Sequence, residues 1–113
     1  MLKKKYRLVG HSLGAKRKVE DALFILRISN NKQKDSRFGF IVSKSIDKRA
    51  VVRNRVKRVF RSLIEERIAG IKPGKDFSFI IKRKAIEADR NELSRSLISV
   101  LRKEEVLNEK TNS

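Results

Sequence analysis

The sequence predicts an α+β domain, a β-sheet with helices packed on it, and three observations carry that prediction. Short apolar or alternating segments lie on either side of residues 30–36 and recur at 76–82, which is the pattern of strands. Between them, residues 50–69 repeat apolar side chains at helical spacing. Leu93, Leu97 and Leu101 then repeat at the same spacing near the end of the chain. At 113 residues the chain makes one domain, 1–113, with 39% apolar residues to build a core.

Taken in order, residues 1–18 are basic and punctuated by Gly10 and Gly14, which leaves at best a short helix. ALFILRIS at 22–29 is short and apolar and reads as a largely buried strand. The polar residues 30–36 form a turn or hairpin loop. RFGFIVSK at 37–44 alternates, with Phe38, Phe40 and Val42 facing one way and Gly39, Ile41 and Ser43 the other. This second strand is expected to pair antiparallel with the first. Gly39 would let another backbone or a ligand approach closely.

After a turn at 45–49 the helix of residues 50–69 begins, and Gly70 suits its C-terminal cap. Pro73 cannot continue it. DFSFIIK at 76–82 is the next strand. Asp89 with Glu92 three residues later resembles a capping box, and the helix it opens should end near Leu107. Residues 108–113 are polar and expected to fray. There are no repeats and no interdomain linker.

The first helix is the most specific feature. Seven of the fourteen residues in KRAVVRNRVKRVFR (48–61) are Lys or Arg. At about 100° per residue, Val52, Val56, Val59, Phe60 and Leu63 share an arc, and Arg53, Asn54, Lys57, Arg58 and Arg61 lie opposite. A solvated helix usually mixes signs to gain pairs three and four residues apart, yet no acid occurs from Lys48 to Leu63. Asn54 is a poor helix former in mid-helix and makes more sense as a donor and acceptor to a partner. The surface suits polyanionic phosphate, so nucleic acid is the expected partner.

Composition agrees. The net charge of +17 exceeds what solubility needs. Residues 1–64 hold 19 Lys or Arg against 4 acids, and residues 65–113 hold 11 against 9. Cysteine is absent, which excludes disulfides, thiolate zinc sites and thiol nucleophiles and fits a reducing cytoplasm. No apolar run is long enough to span a membrane, and the N-terminus has no hydrophobic signal core.

Catalytic groups are missing. His11 is the only histidine and reads as a surface residue. Glu65–Glu66 and Glu104–Glu105 are adjacent pairs, which diverge on a helix and form no carboxylate dyad. Asp35, Asp47 and Asp76 fall at expected turns or strand starts, where Asp serves local hydrogen bonding. No glycine-rich phosphate loop is present. The polypeptide is expected to make or break no bond itself.

RFGFIVSKSIDKRAVVRNRVKRVFR resembles the protein subunit of bacterial ribonuclease P. The resemblance runs through Val42, Ser43 and Lys44, then Ala50, Val51, Arg53, Asn54, Arg55, Lys57, Arg58 and Arg61, and covers roughly residues 23–103. It implies a four-stranded sheet packed by helices, in the order αβββαβα, with a left-handed βαβ crossover. That topology requires a further strand near residues 17–20. It also implies a basic helper of a catalytic RNA that removes the 5′ leader from precursor tRNA with magnesium ions acting alongside the RNA. By position, Arg53, Asn54, Arg55, Lys57, Arg58 and Arg61 would contact the catalytic RNA, and Ser43, Lys44, Lys48 and Arg49 would extend that surface. Tyr6, Phe24, Phe38 and Phe40 are the candidates for the leader, in a cleft between the sheet and the N-terminal segment. That segment departs from the family pattern, because residues 9–14 lack its aromatics. The resemblance further implies a cytoplasmic ribonucleoprotein with one copy of the protein. The alternative is a ribosomal or other structural RNA-binding protein. A DNA-binding helix protein is weaker, since strands rather than a positioning helix precede the basic helix.

Overall fold

In a computed structural model of the chain, residues 3–8 and 17–107 are described. The elements are β1 (Arg17–Glu20), β2 (Phe24–Asn30), β3 (Arg37–Ile41), α1 (Ala50–Glu65), β4 (Lys75–Ile81), α2 (Arg83–Glu87) and α3 (Arg90–Lys103). Single 3-10 turns occur at Lys4–Tyr6 and Ile68–Gly70. The α+β class is as expected, and β1 falls where the family resemblance alone placed a strand. The one-turn α2 has no counterpart in the sequence reading, being too short for an apolar period to show.

The sheet order is β1-β2-β4-β3. β2 is antiparallel to β1 and to β4, and β3 is parallel to β4, with α1 as the crossover between them. This corrects the hairpin expected between the two strands around residues 30–36, because β4 lies between them. Burial is the reason. Asp76, Phe77, Ser78, Phe79 and Ile81 are all buried, and a strand covered on both faces belongs in the middle of a sheet.

The loop after β2 must therefore cross two strand spacings, about 10 Å. It is wired to β4 on the way. The Asn31 N–H donates to the Gly74 carbonyl (2.9 Å), and the Asn31 amide donates to Asp76 Oδ1 (2.9 Å). Gly74 has φ +81, a conformation that glycine adopts without steric cost. Arg37 closes the crossing with two bonds to Asp76, at 2.9 and 2.8 Å. Hydrogen bonding to that carboxylate raises the Arg37 pKa further.

Register places Phe24, Leu26 and Ile28 on one face with Phe77, Phe79 and Ile81, and with Phe38 and Phe40. Phe60 of α1 meets this face, 5.8 Å from Phe24 and 6.0 Å from Phe79 between ring centroids. Leu93, Leu97, Val100 and Leu101 of α3 join the same core. The opposite face holds Ile25, Arg27, Gly39, Ile41 and Ile80, all half-buried, with Ser78 buried among them. A Cβ at Gly39 would lie 3.4 Å from the Leu8 carbonyl oxygen, so a backbone does pass close to it.

Both long helices end earlier than their apolar periods suggest. α1 stops at Glu65 rather than 69, and its cap is Glu66, not Gly70. Ile68 continues the period from Ile64, so spacing alone hides the break. Tertiary pairing causes it: the Lys72 N–H donates to the Val106 carbonyl (2.8 Å) and Ile71 bridges Leu107. α3 starts as expected, Asp89 accepting from the Glu92 N–H at 2.9 Å, but ends at Lys103 rather than near Leu107. Glu105 turns into the left-handed region (φ 58). The Glu105 and Val106 N–H groups then donate to the Arg102 and Leu101 carbonyls, a closure that glycine usually provides. The tail expected to fray at 108–113, His11 and the glycines at 10 and 14 lie outside the described residues. Among the described residues no helix is long and apolar enough to cross a membrane.

Candidate nucleic-acid interface

α1 buries Val56, Phe60, Leu63 and Ile64, while Val52 and Val59 are half-buried. Ile64 is absent from the apolar arc read from the sequence, and its inclusion rotates the outward face. The exposed line is therefore Val51, Asn54, Arg55 and Arg58, with Lys57 and Arg61 half-buried on the flank. Val51 is 78% exposed, the one large apolar side chain so open among the described residues. Arg53 moves away from this line toward the buried side.

Its guanidinium has a local task. Arg53 Nη1 donates to the Asp47 carbonyl (2.9 Å) and the Lys48 carbonyl (2.8 Å), pinning the turn that leads into α1. Asp47 accepts from the Arg49 N–H (2.9 Å) and from its Nη2 (2.8 Å). Ser43 and Ser45 hydroxyls bond each other at 2.7 Å, and the Ile46 N–H donates to the Ser43 carbonyl (3.1 Å). Ser43, Lys44 and Lys48 remain exposed on this turn, continuous with the N-terminal end of α1. Thus Arg49 and Arg53 help build the surface that the other cations present.

Two further contacts set the flanks. The Arg61 guanidinium lies 5.9 Å from the centre of the Phe40 ring, a cation–π contact. Arg83 of α2, outside the cationic motif of residues 48–61, donates to the Ser45 carbonyl at 2.9 Å and ties α2 to the turn. The only local signal for it is the run Lys82, Arg83, Lys84 directly after a strand.

α1 has no acid in its first turn and no side-chain cap at Arg49. The positive end of the helix dipole therefore coincides with Lys48 and Arg49, a repulsive arrangement that a phosphate would relieve. Asp47 is the exception that holds it together. Hydrogen bonds from the Arg49 side chain, then from its backbone N–H, lower the Asp47 pKa from an ordinary 3.8 to about 2. A depressed folded-state pKa contributes stability above the unfolded value that is lost as pH falls through the folded value. The turn is expected to stay intact down to about pH 4 and to loosen toward pH 2. The Asp47 carboxyl carbon, followed by NMR, should titrate near 2; a midpoint at 3.8 would mean the pair does not form in solution.

The aromatic candidates divide differently from the expectation. Phe24 is 0% and Phe38 2% exposed, so neither can stack on a nucleotide. Phe38 stacks on Phe77 instead (5.1 Å), and Phe24 meets Phe79 edge-on (5.4 Å). Strand alternation is the reason: these rings lie on the helix-covered face of the sheet. Phe40 is half-buried between Phe79 and Arg61. Tyr6 is half-buried beside Phe38, Ile68 and Ile71, with the Lys5 ammonium 5.0 Å from its ring. On the face away from the helices, the half-buried Ile25, Arg27, Ile41 and Ile80 are the side chains a single strand could meet. The signal was legible as Arg27 in mid-strand, out of phase with Phe24, Leu26 and Ile28. Among the described residues no group of three or more His, Cys, Asp or Glu could hold a metal ion.

Residues 2–105 match the family model described as Ribonuclease P. The ribonuclease P protein component of Bacillus mycoides (strain KBAB4) is 40% identical over 79 residues, covering 70% of this chain and 68% of that protein. That of Cyanothece sp. (strain PCC 7425 / ATCC 29141) is 32% identical over 77 residues, and this chain spans 59% of its length. A structure of the Staphylococcus aureus RNase P protein, a mutant with defective mRNA degradation activity, aligns over 92% of both chains with TM-score 0.80 and 28% identity. The Thermotoga maritima RNase P protein shares the fold at TM-score 0.70 and 22% identity, over 77% of this chain and 82% of that one.

Proposed function

The chain belongs to the ribonuclease P protein family, and from that premise we propose that it serves a catalytic RNA in removing the 5′ leader from precursor tRNA. The observation that carries the reading is the outward line of α1: Asn54, Arg55 and Arg58 are exposed, with no acid between Lys48 and Leu63. Phosphates of the catalytic RNA lie along this line and along Ser43, Lys44 and Lys48, with Lys57 and Arg61 on the flank. Arg49 and Arg53 act mainly by holding the turn. Neutralising phosphates lets two polyanions approach and lowers the magnesium that the RNA requires. Magnesium acts with the RNA, and the protein supplies position and charge. The leader runs over the sheet face away from the helices, past Arg27 and the isoleucines beside it. The assembly is a cytoplasmic ribonucleoprotein containing one copy of the protein.

Reconstitution tests this. Purified protein added to its cognate ribonuclease P RNA and precursor tRNA at low magnesium should raise the cleavage rate. Salt-dependent binding without any stimulation would instead mark a structural RNA-binding protein and overturn the processing role.

A further inference from the structure

Beside the cationic line of α1, a hollow of about 240 Å³ opens between α1, α2 and the start of α3. Val56, Ala85 and Leu93 form its buried floor, and Val59, Ile86 and Ala88 its half-buried walls. Arg55 and Glu87 stand exposed at its rim. Arg55 Nη2 reaches the Ile86 carbonyl at 3.4 Å, which draws the guanidinium over α2. An apolar slot bounded by a planar cation has the chemistry that holds an unstacked nucleobase. The volume is enough to admit one heterocycle.

Glu87 decides which base. A carboxylate is out of place beside a surface that binds phosphate, where it repels the ligand. It becomes useful if it accepts hydrogen bonds from a base edge. Two carboxylate oxygens match two parallel donors, and among the four bases the guanine N1–H and N2–H₂ edge supplies them. We propose that this hollow receives one unpaired guanine of the bound RNA, its face against Arg55 and its donor edge at Glu87. The site shares Arg55 with the phosphate-binding line and adds contacts to a base rather than to phosphate, and it rests on α1 being the RNA-binding helix.

The test uses the full-length protein and its cognate ribonuclease P RNA. Glu87→Gln should weaken binding about tenfold with an unchanged salt slope, since no phosphate contact is lost. Ala88→Leu, which fills the hollow, should do the same while melting like the parent. Inosine substituted for guanine removes the N2 amino group. One such position in the RNA should impair binding to the parent protein and be silent with Glu87→Gln. If both variants bind like the parent while Arg58→Glu still weakens binding, the base site is overturned and the interface stands. If Arg58→Glu is also without effect, the reading of α1 fails with it.

Discussion

Phe60→Ala is expected to destabilise the fold by about 3–5 kcal/mol, the usual cost of deleting a buried ring. Phe60 is 1% exposed and touches rings from three strands, with centroids 5.8 Å to Phe24, 6.0 Å to Phe79 and 6.1 Å to Phe40. The three rings it touches belong to sheet strands, which limits how far they can move into the space. A domain of this size has roughly 5–15 kcal/mol in total, so the variant should lose a large share of its urea midpoint at an unchanged m-value. A change below about 1 kcal/mol would show that α1 is not packed on the sheet through this ring. The same contact orients the outward face of α1, so this variant should also bind RNA less well.

The second large effect is on binding. Arg55→Glu with Arg58→Glu reverses two exposed charges on the outward line of α1 and should weaken affinity for the catalytic RNA by about 100-fold near physiological salt. The slope of log affinity against log salt should flatten by about 2. Neither side chain supports the core, so the melting temperature should hold. An unchanged slope would place the RNA elsewhere. Arg53→Ala should behave differently, lowering stability by about 1 kcal/mol through loss of its bonds to the Asp47 and Lys48 carbonyls.

The contrast between Arg53 and Arg58 shows what a helical wheel can and cannot resolve. Both belong to one motif, yet at about 100° per residue Arg53 falls about 20° from Phe60 and Arg58 about 160° from it. Adding Ile64, which is 0% exposed, to the apolar arc of five residues turns it far enough to bring Arg53 to the buried flank. The aromatic residues carry the same lesson. Alternation put Phe38 and Phe40 on a shared face, but which face the helices cover depends on where α1 and α3 dock. Only Phe40, at the edge, keeps some exposure.

Local chemistry was legible wherever neighbours in sequence decide the outcome. The start of α1, the Asp89–Glu92 cap and the concentration of cations on one helix all follow from short-range spacing. So does the basic character of the surface, and with it the expectation of a polyanionic partner. Strand order was not legible, because a strand that is apolar on both faces reveals that it is central but not which strands flank it. β4 inserts between β2 and β3, and the loop after β2 is held to Gly74 and Asp76 as it crosses. The ends of α1 and α3 were set by pairing between residues 71–72 and 106–107, more than thirty positions apart. The sequence by itself determined that β2, β3 and β4 are strands, that α1 and α3 are helices, and what charge each carries, since those are short-range properties. β1 and the one-turn α2 are too short for a period to show. Only tertiary packing decided which side chains face the RNA, because burial is a property of the partner surface as much as of the residue.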